Sequence, residues 1–336
     1  MLDRPGASNA PPALWIAWEN QVRNRSLSRL LSAQLHVFLS KRARLARYTI
    51  CSYHTILLIW NRRPSVVFAP NPSIVLICLL LVLRGVFKFT LVIDAHYAGI
   101  VAPGESTFFQ KTLDYCNRRA DLVIVTNAEH GRHVEALGGH SLVCEDPLPD
   151  IGKYAVVTSE ESRDVFVICS FDIDEPYADV FRAASILRQE GYVFWVSGDF
   201  TRAAISPSDF PHVNFIGYVP EPEFYRRLAG SQVVVDLTVQ ENCLVCGAYE
   251  AMMLEKPLVT SRTLALQRYF TGGTVFVDHQ PLAIASGVRL AYEARGELQP
   301  KIRHWKKMVA LDNATKIEAI RARLNLPGRN PEYSRY

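Results

Sequence analysis

VVVDLTVQENCLVCGAYEAMMLEKPLVTS, residues 233–261, decides how this chain is read. Its first five residues are an unbroken apolar run, the signature of a strand covered on both faces in a parallel sheet. Residues 238–242 form a polar loop, and residues 247–254 have helix composition. Lys256-Pro257 ends that helix, because proline cannot continue it, and Leu258-Val259 opens a second apolar strand. The loop therefore lies where a parallel strand gives way to a helix, the usual ligand position of an open α/β sheet. Helix-opening N–H groups at Cys246 and Gly247 offer positive dipole to a phosphate, and the Glu250 carboxylate can accept two hydroxyl hydrogen bonds from a ribose.

Working outward, the rest of the chain repeats this alternation. Apolar strands are expected at residues 14–18, 35–39, 65–69, 89–93 and 122–125, with helices near 27–34, 53–61, 73–83, 108–119 and 129–137. A polar, Pro-punctuated stretch at residues 144–162 reads as a linker. A second alternating set follows, with strands at 165–169, 193–197, 213–216, 233–237 and 275–277 and a mostly helical end from Pro281. Strand–helix alternation implies parallel sheets with right-handed crossovers. The expectation is α/β: two Rossmann-like domains, residues 1–150 and 151–336, with parallel sheets facing across a cleft. The terminal helix is expected to pack back on the first domain through Trp305.

At 336 residues, 49% hydrophobic and 21% charged, the chain is long enough for two cores and too apolar for disorder. Residues 1–90 hold twelve Lys/Arg against two acids, so the net +4 of the whole divides into +10 and −6. A basic front half implies an anionic partner. No base-stacking or groove-reading motif accompanies the charge, so an anionic membrane surface or lipid phosphate fits better than nucleic acid. Ten apolar residues at 74–83 are half the length a bilayer crossing needs, and read as a helix buried between two strands, with partial embedding in a membrane surface as the lesser option. The first thirteen residues lack a signal-peptide core, and the seven cysteines are odd in number and scattered, pointing to a reducing, cytoplasmic setting. Cys243-x-x-Cys246 has no second pair and reads as packing, not metal binding.

Segment 233–261 resembles the nucleotide-sugar signature of glycosyltransferase family 4 and related GT-B enzymes. Glu250-Ala251-Met252 and Lys256-Pro257-Leu258-Val259 carry the likeness, while Asn242 stands where the family has its first Glu. The resemblance implies a nucleoside-diphosphate sugar as co-substrate, no other cofactor and no metal. Donor-binding positions on this reading are Glu250, Asn242, Cys246 and Gly247, with Ser170 after the first strand of the domain and Gly198 and Arg202 in SGDFTR. The family's cation after that first strand is missing here, and Arg202 is the candidate substitute.

The first domain is similar to the chitobiosyl-dolichol mannosyltransferase group and bacterial exopolysaccharide transferases, through Asn71-Pro72-Ser73, Val92-Ile93-Asp94-Ala95-His96, Asp121-Leu122-x-x-Val125-Thr126-Asn127 and Asp146-Pro147-Leu148-Pro149. His96 follows an apolar strand, titrates near neutrality and is expected to take the acceptor's proton with Asp94 orienting it. Asn20, Arg23 and Arg25, in a polar loop after the first strand, and Tyr97 are expected at the acceptor. The implied activity is transfer of a hexose to a lipid-linked glycan acceptor by a peripheral enzyme at the cytoplasmic face of a membrane. A sugar-nucleotide-binding protein without catalysis and a sugar-nucleotide epimerase are the alternatives.

Overall fold

The computed structural model describes residues 13–102, 106–154 and 162–326. The chain divides into two compact units, Met1–Pro147 with Asn313–Tyr336, and Leu148–Asp312. Each is built on one six-stranded, wholly parallel sheet.

In the first unit the order is β1 (Ala13–Ala17), α1 (Val22–Leu30), β2 (Gln34–Val37), α2 (Arg44–Arg62), β3 (Val66–Asn71), α3 (Ile74–Phe87), β4 (Thr90–Ala95), α4 (Tyr97–Ile100), α5 (Thr107–Arg119), β5 (Leu122–Val125), α6 (Ala128–Ala136) and β6 (Ser141–Val143). The strands are ordered β2-β1-β3-β4-β5-β6. Strands β1, β3 and β5 are buried along their whole length, which is why β1, β5 and the first four residues of β3 are unbroken apolar runs. One sheet face packs on α2, α3, α5 and α6, with Ile59, Leu76, Leu80, Cys116 and Val134 fully buried against Ile16, Val67 and Ile93. The other face, with Trp15 stacked on Phe68, is covered by Leu27 and Leu31 and by Ile317 and Ile320 near the chain's end.

The second unit runs β7 (Asp164–Val167), α7 (Tyr177–Leu187), β8 (Val193–Ser197), β9 (Val213–Gly217), α8 (Glu221–Gly230), β10 (Val233–Asp236), α9 (Cys246–Met253), β11 (Leu258–Ser261), α10 (Leu264–Tyr269), β12 (Thr274–Val277) and α11 (Pro281–Glu293). Its strand order, β12-β11-β10-β7-β8-β9, reverses direction between β7 and β10. A final helix, α12 (Arg295–Arg323), begins in this unit and ends in the other.

Several expectations change. The stretch after β1 expected as a loop is largely helix, so Arg23 and Arg25 sit on α1. Helix α2 is twice the expected length: its first half lacks a capping side chain and an apolar signature, and it is held by Arg44 and Arg47 against the Tyr48 ring. Residues 144–146, expected in a linker, continue past β6 into the first unit, where Cys144 is buried. Trp305, expected to anchor the terminal helix on the first domain, packs within the second unit. Its indole donates to the Tyr269 carbonyl at 2.8 Å and packs on Phe270, both in the second. The helix at 74–83 is buried on its inner face alone; Val75, Val82 and Val86 are exposed. No helix among the described residues is long and apolar enough to cross a membrane.

Candidate functional site

In parallel α/β sheets ligands gather at the carboxyl ends of strands, next to the point where strand order reverses. In the second unit that point is the pair β7 and β10, and the residues following them are those singled out from the sequence.

The chain leaving β10 passes Asp236 and returns into α9. A side chain on Gly247 would place a Cβ 2.4 Å from Ile168 Cδ1 and 2.6 Å from Asp236 Oδ2, so only glycine lets α9 start this close to the sheet. Glu250, half-buried on α9, accepts from the Tyr225 hydroxyl at 3.2 Å through Oε1. Its Oε2 meets no protein donor among the described residues. Burial pushes its carboxyl up to about 7; Glu221 adds to the rise and the Tyr225 bond opposes it. Asp236 is a residue the sequence reading missed. It is fully enclosed, and the amides of Gly247 and Ala248 favour its ionised form, yet Oδ2 has no hydrogen-bond partner. Burial, with Glu175 and Glu250 close by, holds its carboxyl well above the usual range. A strand ending in Asp before a Gly-opened helix was its visible signal.

The loop after β7 differs from expectation. Glu175 folds back on it, accepting from the Ser170 amide at 2.8 Å, the Ser170 hydroxyl at 2.8 Å and the Cys169 thiol at 3.1 Å. The donors expected to meet a diphosphate at Ser170 are thus already engaged. Arg202, by contrast, does reach this loop: Nη1 donates to the Ser170 carbonyl at 3.2 Å and Nη2 stands 3.7 Å from Asp172. Gly198 lets the two loops meet. At φ +96° its backbone packs so tightly that a Cβ would lie 1.9 Å from the Cys169 carbonyl oxygen. Asn242 is half-buried in the loop before α9 and Cys246 is exposed at the helix start. All seven cysteines are free thiols. Among the described residues no group of three or more His, Cys, Asp or Glu has the arrangement of a metal site.

In the first unit the carboxyl end of β4 delivers Asp94 and His96, as expected. Asp94 is fully buried and gripped by Arg23 through Nη2 at 2.8 Å and Nε at 3.0 and 3.1 Å. Arg23 also reaches Asp146 at 2.8 Å and the Cys144 carbonyl at 2.8 Å. Burial alone would raise the Asp94 carboxyl; the Arg23 charge outweighs it and holds Asp94 ionised, far below the usual range. The sequence reading placed Arg23 at the acceptor; its guanidinium is instead engaged by two carboxylates inside the unit. Asn20 and Arg25 are exposed, and Tyr97 is half-buried. His96 Nε2 stands 3.6 Å from Asp94 Oδ2 and makes no hydrogen bond.

Two further features shape this edge. Gly99 packs with its Cα against the Asn71 backbone, where a Cβ would lie 2.8 Å from the Asn71 carbonyl, and its own carbonyl accepts from Asn71 at 3.1 Å and Asn117 at 2.9 Å. His130, on the first turn of α6, is buried beside the Tyr97 ring at 5.9 Å with Nε2 unpartnered. Burial, with a smaller contribution from His133, lowers it to about 4, so it is neutral at physiological pH. Thr126-Asn127 immediately after β5 was the signal for this residue, since both side chains approach its Nδ1.

No family model matches the chain, and no curated protein does. Solved structures do. HepE from Anabaena in complex with UDP and glucose is 14% identical, with a TM-score of 0.67 over 93% of this chain and 91% of that one. Sucrose-phosphate synthase from Thermosynechococcus elongatus is 12% identical, with a TM-score of 0.73 over 94% and 99%. A glycosyltransferase from Rickettsia africae is 10% identical, with a TM-score of 0.70 over 96% and 100%. At such identities the likeness establishes the fold, and the fold is of the GT-B type, two Rossmann-like units in one chain.

Proposed function

We propose that the chain is a glycosyltransferase that moves a hexose from a nucleoside-diphosphate sugar to a lipid-linked, polyprenyl-phosphate type glycan, working peripherally at the cytoplasmic face of a membrane. The observation that carries the reading is Glu250: a carboxylate with one open oxygen, on the helix that starts where the second sheet reverses its strand order. In this reading Glu250 accepts from the ribose hydroxyls, and Arg202 with the amide at Cys246 meets the diphosphate, without a metal. Asn242, close to the start of α9, contacts the donor sugar. The bond from the sugar's anomeric carbon to the diphosphate breaks, the acceptor oxygen takes its place, and the acceptor's proton passes to His96 Nδ1. Asp94, kept ionised by Arg23, stabilises the resulting imidazolium through Nε2. Tyr97, Asn20 and Arg25 line the acceptor's approach.

A second reading, a GT-B protein that binds a sugar nucleotide without transferring it, draws on Glu175, whose carboxylate occupies the Ser170 donors. Thermal-shift measurement against a panel of nucleoside-diphosphate sugars, UDP-glucose first, followed by assay of transfer to polyprenyl-diphosphate glycans, separates the readings. Stabilisation with turnover supports transfer. Stabilisation without turnover on any acceptor supports the second reading, and no stabilisation by any donor removes both.

A further inference from the structure

Between Glu19 and Asp94 the chain carries no acidic residue, yet it carries Arg23, Arg25, Arg29, Lys41, Arg42, Arg44, Arg47, Arg62, Arg63, Arg84 and Lys88. That segment includes α2 and α3, which lie side by side on one face of the first sheet. Their inner sides are buried and their outer sides are apolar as well. On α2, Tyr53, Leu57 and Trp60 are 62%, 43% and 59% exposed. On α3, Val75, Val82 and Val86 are 40%, 71% and 69% exposed. The spacing in both helices, three, four or seven residues, aligns these side chains in stripes parallel to the helix axes. A helix whose two sides are both apolar has a second apolar environment to meet.

The charges around the stripes say which one. At the carboxyl ends of both helices Arg63 lies over the Trp60 ring at 4.8 Å and the Phe87 ring at 4.7 Å, with Arg62 and Lys88 exposed beside them. A Trp flanked by guanidinium groups, with aliphatic side chains next to it, is the composition of a headgroup-level anchor. Next to α3, a groove of about 260 Å³ is lined by Cys78, Leu81, Val82, Arg84, Tyr115 and Arg119. No acid lines this groove among the described residues; Asp121, paired with Arg84 at 2.8 Å, and Asp114, paired with His133 at 3.0 Å, are engaged nearby in sequence. Among the described residues Arg119 has no such partner, which leaves a cation at the rim of an apolar slot.

We infer that the outer face of α2 and α3 docks on an anionic phospholipid bilayer, with both helices lying flat at headgroup depth and a lipid phosphate meeting Arg119 in the groove. Charge complementarity selects this occupant over a protein surface: a bilayer supplies continuous negative charge and adjoining hydrocarbon, which an all-cationic apolar face requires. The orientation leaves the carboxyl edge of the sheet, where His96 stands, to the side of the membrane plane and clear of it. The inference names the face used by the membrane-bound enzyme proposed above and rests on that reading.

Co-sedimentation of the full chain with vesicles of phosphatidylcholine alone or with 30% phosphatidylglycerol tests it, with no donor or acceptor present. Binding is expected on the anionic vesicles only, with a blue shift of tryptophan emission that is lost in Trp60→Ser. Arg63→Glu with Arg119→Glu should lower the partition coefficient by more than tenfold, each cation contributing about fivefold. Leu290→Ser, which removes an exposed apolar residue of α11 in the other unit, should change nothing. Equal binding to both vesicle types, no binding to either, or loss of binding in Leu290→Ser alone overturns the inference. So does a concentration-dependent dimer in sedimentation that Trp60→Ser abolishes. Donor binding and transfer to a detergent-dispersed acceptor are measured separately: if these survive while wild-type vesicle binding is absent, the docking face is wrong and the transferase reading stands.

Discussion

Arg23 and Asp94, 71 positions apart in the chain, form a buried bidentate pair in which Nη2 stands 2.8 Å from Oδ1. Neither charge has water to fall back on. Asp146 and the Cys144 carbonyl take the remaining guanidinium donors, so the arginine joins α1, the end of β4 and the segment after β6.

Breaking such a pair from one side leaves an uncompensated buried charge. Arg23→Met is expected to destabilise the protein by about 3–5 kcal/mol, read from urea unfolding. The Arg23→Met, Asp94→Asn double variant should recover part of that loss, because the stranded carboxylate is gone. A double variant as unstable as the sum of the two single ones would show that the two side chains do not act as a unit.

His96 carries the proton step in the proposed reaction and is assigned no contact with the donor. His96→Ala should therefore lower kcat by about 10²–10⁴-fold while the donor Kd, by calorimetry, stays within about twofold. Unchanged turnover removes His96 from the mechanism.

Glu250 has a folded value of about 7 against an ordinary 4.5, raised chiefly by burial. A raised value means the folded protein holds the proton more tightly than the unfolded chain. Its contribution to stability is complete below pH 4.5 and is lost as the pH rises through about 7. Glu250→Gln should accordingly gain about 1–3 kcal/mol relative to wild type between pH 5 and pH 8, by chemical denaturation at each pH. Donor affinity runs the other way. Ribose hydroxyls need an ionised acceptor, so wild-type binding should weaken below pH 7 by up to about tenfold per unit. Glu250→Gln should bind weakly at every pH. A wild-type Kd independent of pH between 5.5 and 8 would detach Glu250 from the nucleoside.

Glycines in this fold differ in what they permit. Gly198 combines a φ of +96° with a backbone approach that places a Cβ 1.9 Å from the Cys169 carbonyl. Gly198→Ala should cost at least about 2 kcal/mol and disturb the loop that Arg202 contacts. Gly85, inside α3 with nothing within 4 Å of its Cβ position, provides the contrast. Gly85→Ala should raise the melting temperature, by up to about 1 kcal/mol of stability. Equal effects at the two sites would contradict the backbone geometry described here.

The alternation of apolar runs with helix-forming stretches was enough to reveal two parallel α/β units, because strands buried on both faces leave no polar residue to obscure them. Leu122–Val125, buried at every position, was legible to the residue for that reason. Local signals likewise marked Gly247 and Glu250, on the helix of a strand–loop–helix segment, and Asp94 and His96, at the end of β4. What tertiary structure alone decided is which charges meet. Nothing near Arg23 in sequence shows that its guanidinium is spent on Asp94 and Asp146, and nothing near Ser170 shows that Glu175 turns back to occupy its donors. The exposed stripes of α2 and α3 were hidden for a related reason. Hydrophobicity counts side chains without saying which face of a helix the sheet will cover, and only packing settles which of two apolar sides stays outside.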